Sequence, residues 1–382
     1  MTPQFHPHLV NGPTGDPGVY VDFLFARRAL LFDLGEITRL PPRKILRLSH
    51  IFISHTHMDH FIGFDHLVRI FLGRGKRLSL FGPPGFTDRV GHHLAAYTWN
   101  LVEGFPEDFT IEACEFHPDG KVMTVEFHCR RGFRGEAERS FTAGNGVLLE
   151  EETFRIRAVF LDHRITSIAY TLEEKCHVNV MKNRLADMGL PVGPWLTELK
   201  RAVLRGDADA VPVRAWWKDG DESSERQIPL GELKRHVLMI VPGQKITYVT
   251  DALYSEANAG AITDLAQGSD YLFIEAAFLD EDAGRAAEKY HLTARQAGLL
   301  ARRAGVGRVV PFHISPKYAG EEERIVMEVM AAFAGNPAAT EQGKEEPHVS
   351  GENMVYPGGS GVQVRGAGTP HSRMGRRGAG AE

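Results

Sequence analysis

Two features of this chain predict a layered α/β fold. Short apolar, β-branched runs alternate with segments of helical spacing from residue 19 to about 334. Several of those runs stop at a loop rich in polar or imidazole groups, as strands do at the rim of a sheet. A third observation bounds the class: no stretch approaches the roughly 20 apolar residues of a membrane span.

Taken in order, "VYVDFLFARRALLFDL" (19–34) reads as two strands turning near Ala26 and Arg27. "HIFIS" (50–54) is a short buried strand, and 61–72 has helical spacing. A strand at 78–85 runs into a Gly/Pro turn, and 86–100 is again helical. Residues 110–170 are rich in strands: "TIEACEF", "MTVEFHC", "TFRIRAVFLDH" and "SIAYTLE". The texture changes at 173–208, where a Gly/Pro turn separates two helix-like pieces of nearly neutral charge. Strands resume at 211–217, 245–250 and 271–278, then a helix at 293–304, a strand at 308–313 and an amphipathic helix at 321–334. Beyond 336, Gly, Pro, Ser and charge dominate, and 336–382 reads as a disordered tail.

Composition narrows the function classes. With 43% hydrophobic and 24% charged residues the chain suits a globular protein. Its first residues lack the basic start and apolar core of a signal peptide, so the cytoplasm is the expected location. Three cysteines without a CxxC pair suggest neither a disulfide framework nor a zinc ribbon. A net charge of −5 argues against non-specific coating of nucleic acid, while a local basic patch stays open. The basic run "HCRRGFRGEAER" (128–139) reads as a solvated hairpin, and His66, His92 and His93 as packing or surface residues.

The chemistry is concentrated in "SHTHMDH" (54–60), directly after a buried strand. His55, His57, Asp59 and His60 all offer nitrogen or oxygen ligands, and an H-x-H-x-D-H loop leaving a strand can turn them toward two ions. Singly each has a plainer reading; Asp59, for instance, suits the cap of the following helix. Four at this spacing favour metal. Further ligands then belong at other strand ends, where His163, Asp251 and His313 stand. Alone, Asp251 reads equally as a helix cap, and His163 or His313 as a satisfied core histidine.

These motifs together resemble the metallo-β-lactamase superfamily, and within it the ribonuclease Z family, which trims the 3′ end of precursor tRNA. The more specific signals are His163 to Tyr170 (H-x6-Y), the His291 H-x-T ahead of a Gln-Ala helix, and "HISPKY" from His313. The resemblance implies a four-layer αβ/βα sandwich at 1–335 with an inserted arm at about 173–208, whose "GLPVGP" (189–194) matches the family's tRNA-gripping arm. It implies two Zn2+ per subunit, with Mn2+ or Fe2+ also compatible: His55, His57 and His163 on one ion, Asp59, His60 and His313 on the other, Asp251 between them. A hydroxide bridging the ions would attack the phosphodiester. Asp59 would take the water's proton, His291 would serve the leaving oxygen or the pentacoordinate phosphate, and Glu275 would orient a histidine. Lys182, Arg184, Lys200 and Arg201 would line one side of the arm, and a homodimer acting on precursor tRNA is the implied assembly.

The chain departs from the family pattern in three places. The N-terminal Pro-x-Lys-x-Arg-Asn stretch has no counterpart, the usual Gly-Asp-Thr is Thr250-Asp251-Ala252, and the tail is extra. The arm has a plainer reading too, as helices packed on their own domain or a second subunit. Two further functions therefore stand beside tRNA processing: a hydrolase of small phosphodiesters on the same site, and a binding protein that keeps the fold. The full set of seven ligands disfavours the last.

Overall fold

The computed structural model describes residues 4–219 and 222–335; the expected disordered tail lies outside them. Eight strands form the first sheet in chain order: Phe5–Leu9, Val19–Phe23, Ala29–Phe32, Leu48–Phe52, Arg77–Gly82, Thr110–Phe116, Lys121–His128 and Gly135–Thr142. The four from Ala29–Phe32 to Thr110–Phe116 run parallel. The second sheet has six, ordered Val309–Phe312, Tyr271–Glu275, Lys245–Val249, Thr166–Glu174, Phe154–Asp162, Val147–Glu150. Its first three are parallel and the rest pair antiparallel.

The apolar runs are continuous because both faces of these strands are buried. Alternate residues go to different cores. Phe32, Phe52 and Phe81 meet Tyr170, Tyr248, Phe273 and Phe312 between the sheets. Leu31, Ile51 and Leu80 face outward under the helices Phe64–Phe71 and Phe86–Ala95. On the second sheet Val249, Leu272, Ile274 and Val309 do the same under Glu256–Ala266, Ala294–Arg303 and Glu322–Ala334. The layer order is therefore helix, sheet, sheet, helix. Stacked rings join the inner faces, with Phe32 and Tyr248 centred 5.6 Å apart.

Two sequence expectations change. The helix expected at 61–72 is two pieces, Met58–Phe61 and Phe64–Phe71. Gly63 sits between them, its N–H donating to the Leu34 carbonyl at 3.0 Å. A β-carbon there would lie 2.3 Å from the Gly35 carbonyl oxygen, so only glycine lets the loop close on the strand ends. Asp59 consequently lies inside the first turn and does not cap it; the N-cap is His57, with no side-chain bond.

The inserted segment is larger than 173–208. Strand Cys176–Val180 pairs with Leu238–Pro242, so the excursion closes only at Gln244, whose carbonyl accepts from the Glu174 N–H at 2.9 Å. The strands expected to resume at 211–217 form a hairpin of this insertion, Pro212–Asp219 with Glu222–Pro229. Helices Lys182–Asp187, Trp195–Arg205 and Leu230–Val237 complete it around buried Leu185, Trp195, Leu199, Leu230 and Leu233. It leaves strand Thr166–Glu174 at Glu174, the end opposite His163.

Candidate metal centre

The site sits where strands of both sheets end. Leu48–Phe52 delivers the 54–60 loop, Ala29–Phe32 delivers Asp33, and the parallel strands of the second sheet end at Asp251, Glu275 and His313. The tight turn between Phe154–Asp162 and Thr166–Glu174 presents His163. Parallel strands ending side by side bring residues far apart in sequence to one rim.

All seven expected ligands converge there. The ligand atoms of His55, His57, His163 and Asp251 lie within 4.8 Å of one another, and so do those of Asp59, His60 and His313. Asp251 joins the two groups. Its Oδ2 is 3.5 Å from His55 Nε2, 3.5 Å from His60 Nε2 and 3.3 Å from His163 Nε2, while its Oδ1 is 2.8 Å from His313 Nδ1. His313 Nε2 reaches Asp59 Oδ2 at 3.2 Å. A third grouping, Asp251, Glu275, His291 and His313, shows His291 at the same centre.

Three imidazoles of the cluster, those of His55, His60 and His163, have a partner on their far side. His163 Nδ1–H donates to the Tyr290 carbonyl at 2.7 Å, which leaves Nε2 bare toward Asp251. His60 Nδ1 meets Asp33 Oδ2 at 2.7 Å. His55 Nδ1 lies 3.1 Å from Ser54 Oγ. Thr250 Oγ1 donates to Asp251 Oδ1 at 2.9 Å, so a hydroxyl on the preceding residue serves the carboxylate where Ala252 carries none. Glu275, fully buried, takes the Ala252 N–H on Oε1 at 2.7 Å and His291 Nδ1 on Oε2 at 2.8 Å. The expected orienting role of Glu275 thus falls on His291.

Electrostatics separate these groups. Burial pushes the His55 imidazole down to about 2, so it stays neutral and keeps a lone pair for a ligand. Burial also pulls on His60, but Asp251 and Asp33 overrule it and raise that imidazole to about 10. Burial would raise the Asp251 carboxyl, yet His313 and His60 hold it well below the carboxylate range. His291 follows the His60 pattern: burial lowers it, and the Glu275 carboxylate more than restores it, for a net rise. The fit to a metal shows in what is left unpartnered. His60 Nε2 and His313 Nδ1 are buried and point into the cluster, near Asp251 oxygens at 3.5 and 2.8 Å but without a well-directed hydrogen bond. Nitrogen and carboxylate donors of this kind suit Zn2+, Mn2+ or Fe2+.

Sequence reasoning missed two residues. Asp33, fully buried at φ 55°, accepts from the Ser54 N–H (2.6 Å), Ser54 Oγ (2.7 Å), His60 Nδ1 and the Tyr248 hydroxyl (2.6 Å). Its only sequence signal was an acid at the end of "LLFD". Tyr170, noted only as spacing, donates to the Ile53 carbonyl at 2.6 Å and ties the second sheet to the histidine loop.

The four expected substrate contacts are elsewhere. Lys182, Lys200 and Arg201 line a groove of about 950 Å³ between the insertion and the Phe23–Arg28 turn, whose wall also carries Glu151, Glu152 and Glu174. Arg184 is exposed and is not part of that lining.

Similarity to known proteins follows the same outline. Residues 201–314 match the model of the beta-lactamase superfamily domain. A ribonuclease Z from Deinococcus radiodurans is 32% identical over 336 residues, covering 87% of this chain and 96% of that protein. One from Brevibacillus brevis is 28% identical, covering 83% and 85%. Among solved structures, the metallo-beta-lactamase fold protein YhfI of Bacillus subtilis superposes with a TM-score of 0.49 at 15% identity, over 87% of this chain and 94% of that one. The Deinococcus relative is matched along nearly its whole length at that identity, and so this chain belongs to the ribonuclease Z family.

Proposed function

We propose that the protein is a metal-dependent endoribonuclease that trims the 3′ end of precursor tRNA. The observation that carries the chemistry is Asp251, one carboxylate shared by two groups of inward-facing ligands. In this reading His55, His57 and His163 hold one divalent ion and Asp59, His60 and His313 the other, zinc being the ion we favour. Such a pair, when bound, supplies the Lewis-acid charge that polarises a phosphodiester and its attacking water.

The chain's own groups then divide the proton work. Burial alone would raise the Asp59 carboxyl, but His313 and His60 hold it low and ionised, so it accepts a hydrogen bond from the attacking water and orients it. The His291 proton is retained by its pairing with Glu275. It passes to the O3′ leaving oxygen as the phosphorus–O3′ bond breaks and the water's oxygen–phosphorus bond forms; one water proton leaves through Asp59 to solvent, from which His291 is recharged, and the other stays on the new phosphate. The products are a 3′-hydroxyl on the tRNA and a 5′-phosphate on the trailer. The inserted segment is read as the arm that grips the RNA, the assembly as a homodimer and the location as cytoplasmic. In keeping with the last, no helix among the described residues is long and apolar enough to cross a membrane.

The test is cleavage of a precursor tRNA carrying a 3′ trailer by zinc-loaded protein, beside His57→Ala. Cleavage after the discriminator nucleotide, lost in the variant, is expected. An intact precursor together with hydrolysis of bis-p-nitrophenyl phosphate would instead select a small-phosphodiester hydrolase.

A further inference from the structure

Among the described residues, seven non-glycine residues have a positive φ, and five of them (Asp33, Arg164, Asp251, Tyr290 and His313) belong to the elements around the histidine cluster. Backbone in this region is costly for any side chain and persists where surrounding contacts impose it. Four of the five have a visible task. Asp33 collects four donors, Asp251 and His313 face each other across 2.8 Å, and Tyr290 turns its carbonyl onto His163. Arg164, at φ 63°, is the fifth.

Arg164 is the middle residue of the turn between strands Phe154–Asp162 and Thr166–Glu174. The turn is closed without the Arg164 side chain: the Arg164 N–H donates to the Asp162 carboxylate (Oδ1) at 2.8 Å, and the His163 N–H to the Ile165 carbonyl at 2.9 Å. Glycine would take this left-handed place without strain, and asparagine nearly so. The chain instead has a long cation there. Its side chain is exposed, and its guanidinium has no hydrogen-bond or ion-pair partner among the described residues. The turn itself gives no reason for an arginine. Its neighbour His163 is buried and 3.3 Å from Asp251, so the guanidinium emerges one residue away from the centre. Carboxylates also lie on this lip: Asp162 is exposed, and the Asp59 side chain is 44% exposed. A polyanion approaching the centre passes them, and an unpaired cation beside them offsets that repulsion.

We propose that Arg164 contacts the substrate: its planar fork binds a non-scissile phosphate of the RNA strand flanking the cut. This rests on the endoribonuclease reading above. A non-scissile phosphate is the partner because His163 turns into the cluster while Arg164 stays on the outer surface, beside the reacting centre and not in it. The guanidinium geometry matches two phosphate oxygens at once, which an ammonium does not.

The experiment compares wild type with Arg164→Ala, Arg164→Lys and Arg164→Gly on a trailer-bearing precursor tRNA and on bis-p-nitrophenyl phosphate. Arg164→Ala should lower kcat/KM on the RNA about ten-fold at low salt, mainly through KM, and flatten its dependence on log salt by about one unit of slope or slightly less. The loss on the RNA should exceed the loss on the diester about five-fold or more, because the diester has no second phosphate. Arg164→Lys should recover part of it. Arg164→Gly should match the alanine variant in kinetics while melting no lower than wild type, since it relieves the left-handed backbone. Equal losses on both substrates, or an alanine variant that cuts RNA as fast as wild type, would overturn the assignment alone. A lower melting temperature for Arg164→Gly with reduced metal content would also overturn it, by making the residue structural. A wild-type protein that hydrolyses the diester and leaves the RNA whole removes the endoribonuclease reading, and this proposal with it.

Discussion

Replacing Asp33 by asparagine tests how far the centre depends on a residue outside the ligand set. Four buried donors converge on this carboxylate, three on Oδ2 (Ser54 Oγ, His60 Nδ1, Tyr248 hydroxyl) and the Ser54 N–H on Oδ1. Asparagine tolerates the left-handed backbone, so no strain is added. Its best placement keeps the carbonyl on the three donors and turns the amide toward the Ser54 N–H, 2.6 Å from the present Oδ1. One buried N–H then faces another donor, which costs about 1–3 kcal/mol. His60 meanwhile leans on a neutral amide in place of a carboxylate, and losses of such orienting partners lower metal affinity about 10- to 100-fold. Urea unfolding of the metal-free protein measures the first effect, and competition with a chelator the second. A variant within about 0.5 kcal/mol of wild type, binding metal as tightly, would refute the reasoning, since that is the scatter of a neutral substitution.

Three other outcomes follow from described contacts. Glu275→Gln removes the charge that raises the His291 imidazole; a step needing its proton is lost as pH rises through that pKa, so the alkaline limb of kcat should move to lower pH, and an unmoved limb refutes the proton-donor role. Excising 176–242 and rejoining the ends, which the Glu174–Gln244 bond already holds together, should lower kcat/KM on precursor tRNA about ten-fold or more beyond its effect on a small diester; equal losses refute the arm's role. Burial and the Arg28 guanidinium push the His50 imidazole down to about 4. The folded state therefore binds fewer protons than the unfolded one between the ordinary imidazole value and about 4, and stability falls as pH drops through that window. His50→Gln should make urea midpoints decline less between pH 7 and 4.5, and an equal decline refutes the assignment.

The candidate ligands were legible because they stand at or just beyond the ends of apolar runs, and strand ends are marked locally by the change from apolar to polar residues. Asp33 stood at such an end as well, but one carboxylate has no signature until Ser54 and Tyr248, 21 and 215 residues away, are brought to it. The extent of the insertion was hidden for a similar reason. Its boundary is set by the pairing of Cys176 with Pro242, which no window of local spacing contains. The strand at 211–217 therefore read as the point where strands resume after the arm, and its hairpin partner at 222–229 went unread. The plainer alternative for Asp59, a helix cap, fails because helix starts are judged from propensity, whereas Gly63 and the strand ends fix where this turn begins.

The paired strands Phe154–Asp162 and Thr166–Glu174, nine residues each, carry His163 at one end and the root of the insertion at the other. At about 3.3 Å per residue they set the two about 30 Å apart within one chain. A hydrogen-bonded hairpin of that length is stiff, so it acts as a gauge. A small diester engages one end and is never measured. On the proposed reading, a folded RNA that engages both is sorted by the distance between its gripped region and its cut, and lengthening each strand by two residues would recalibrate that distance by about 7 Å.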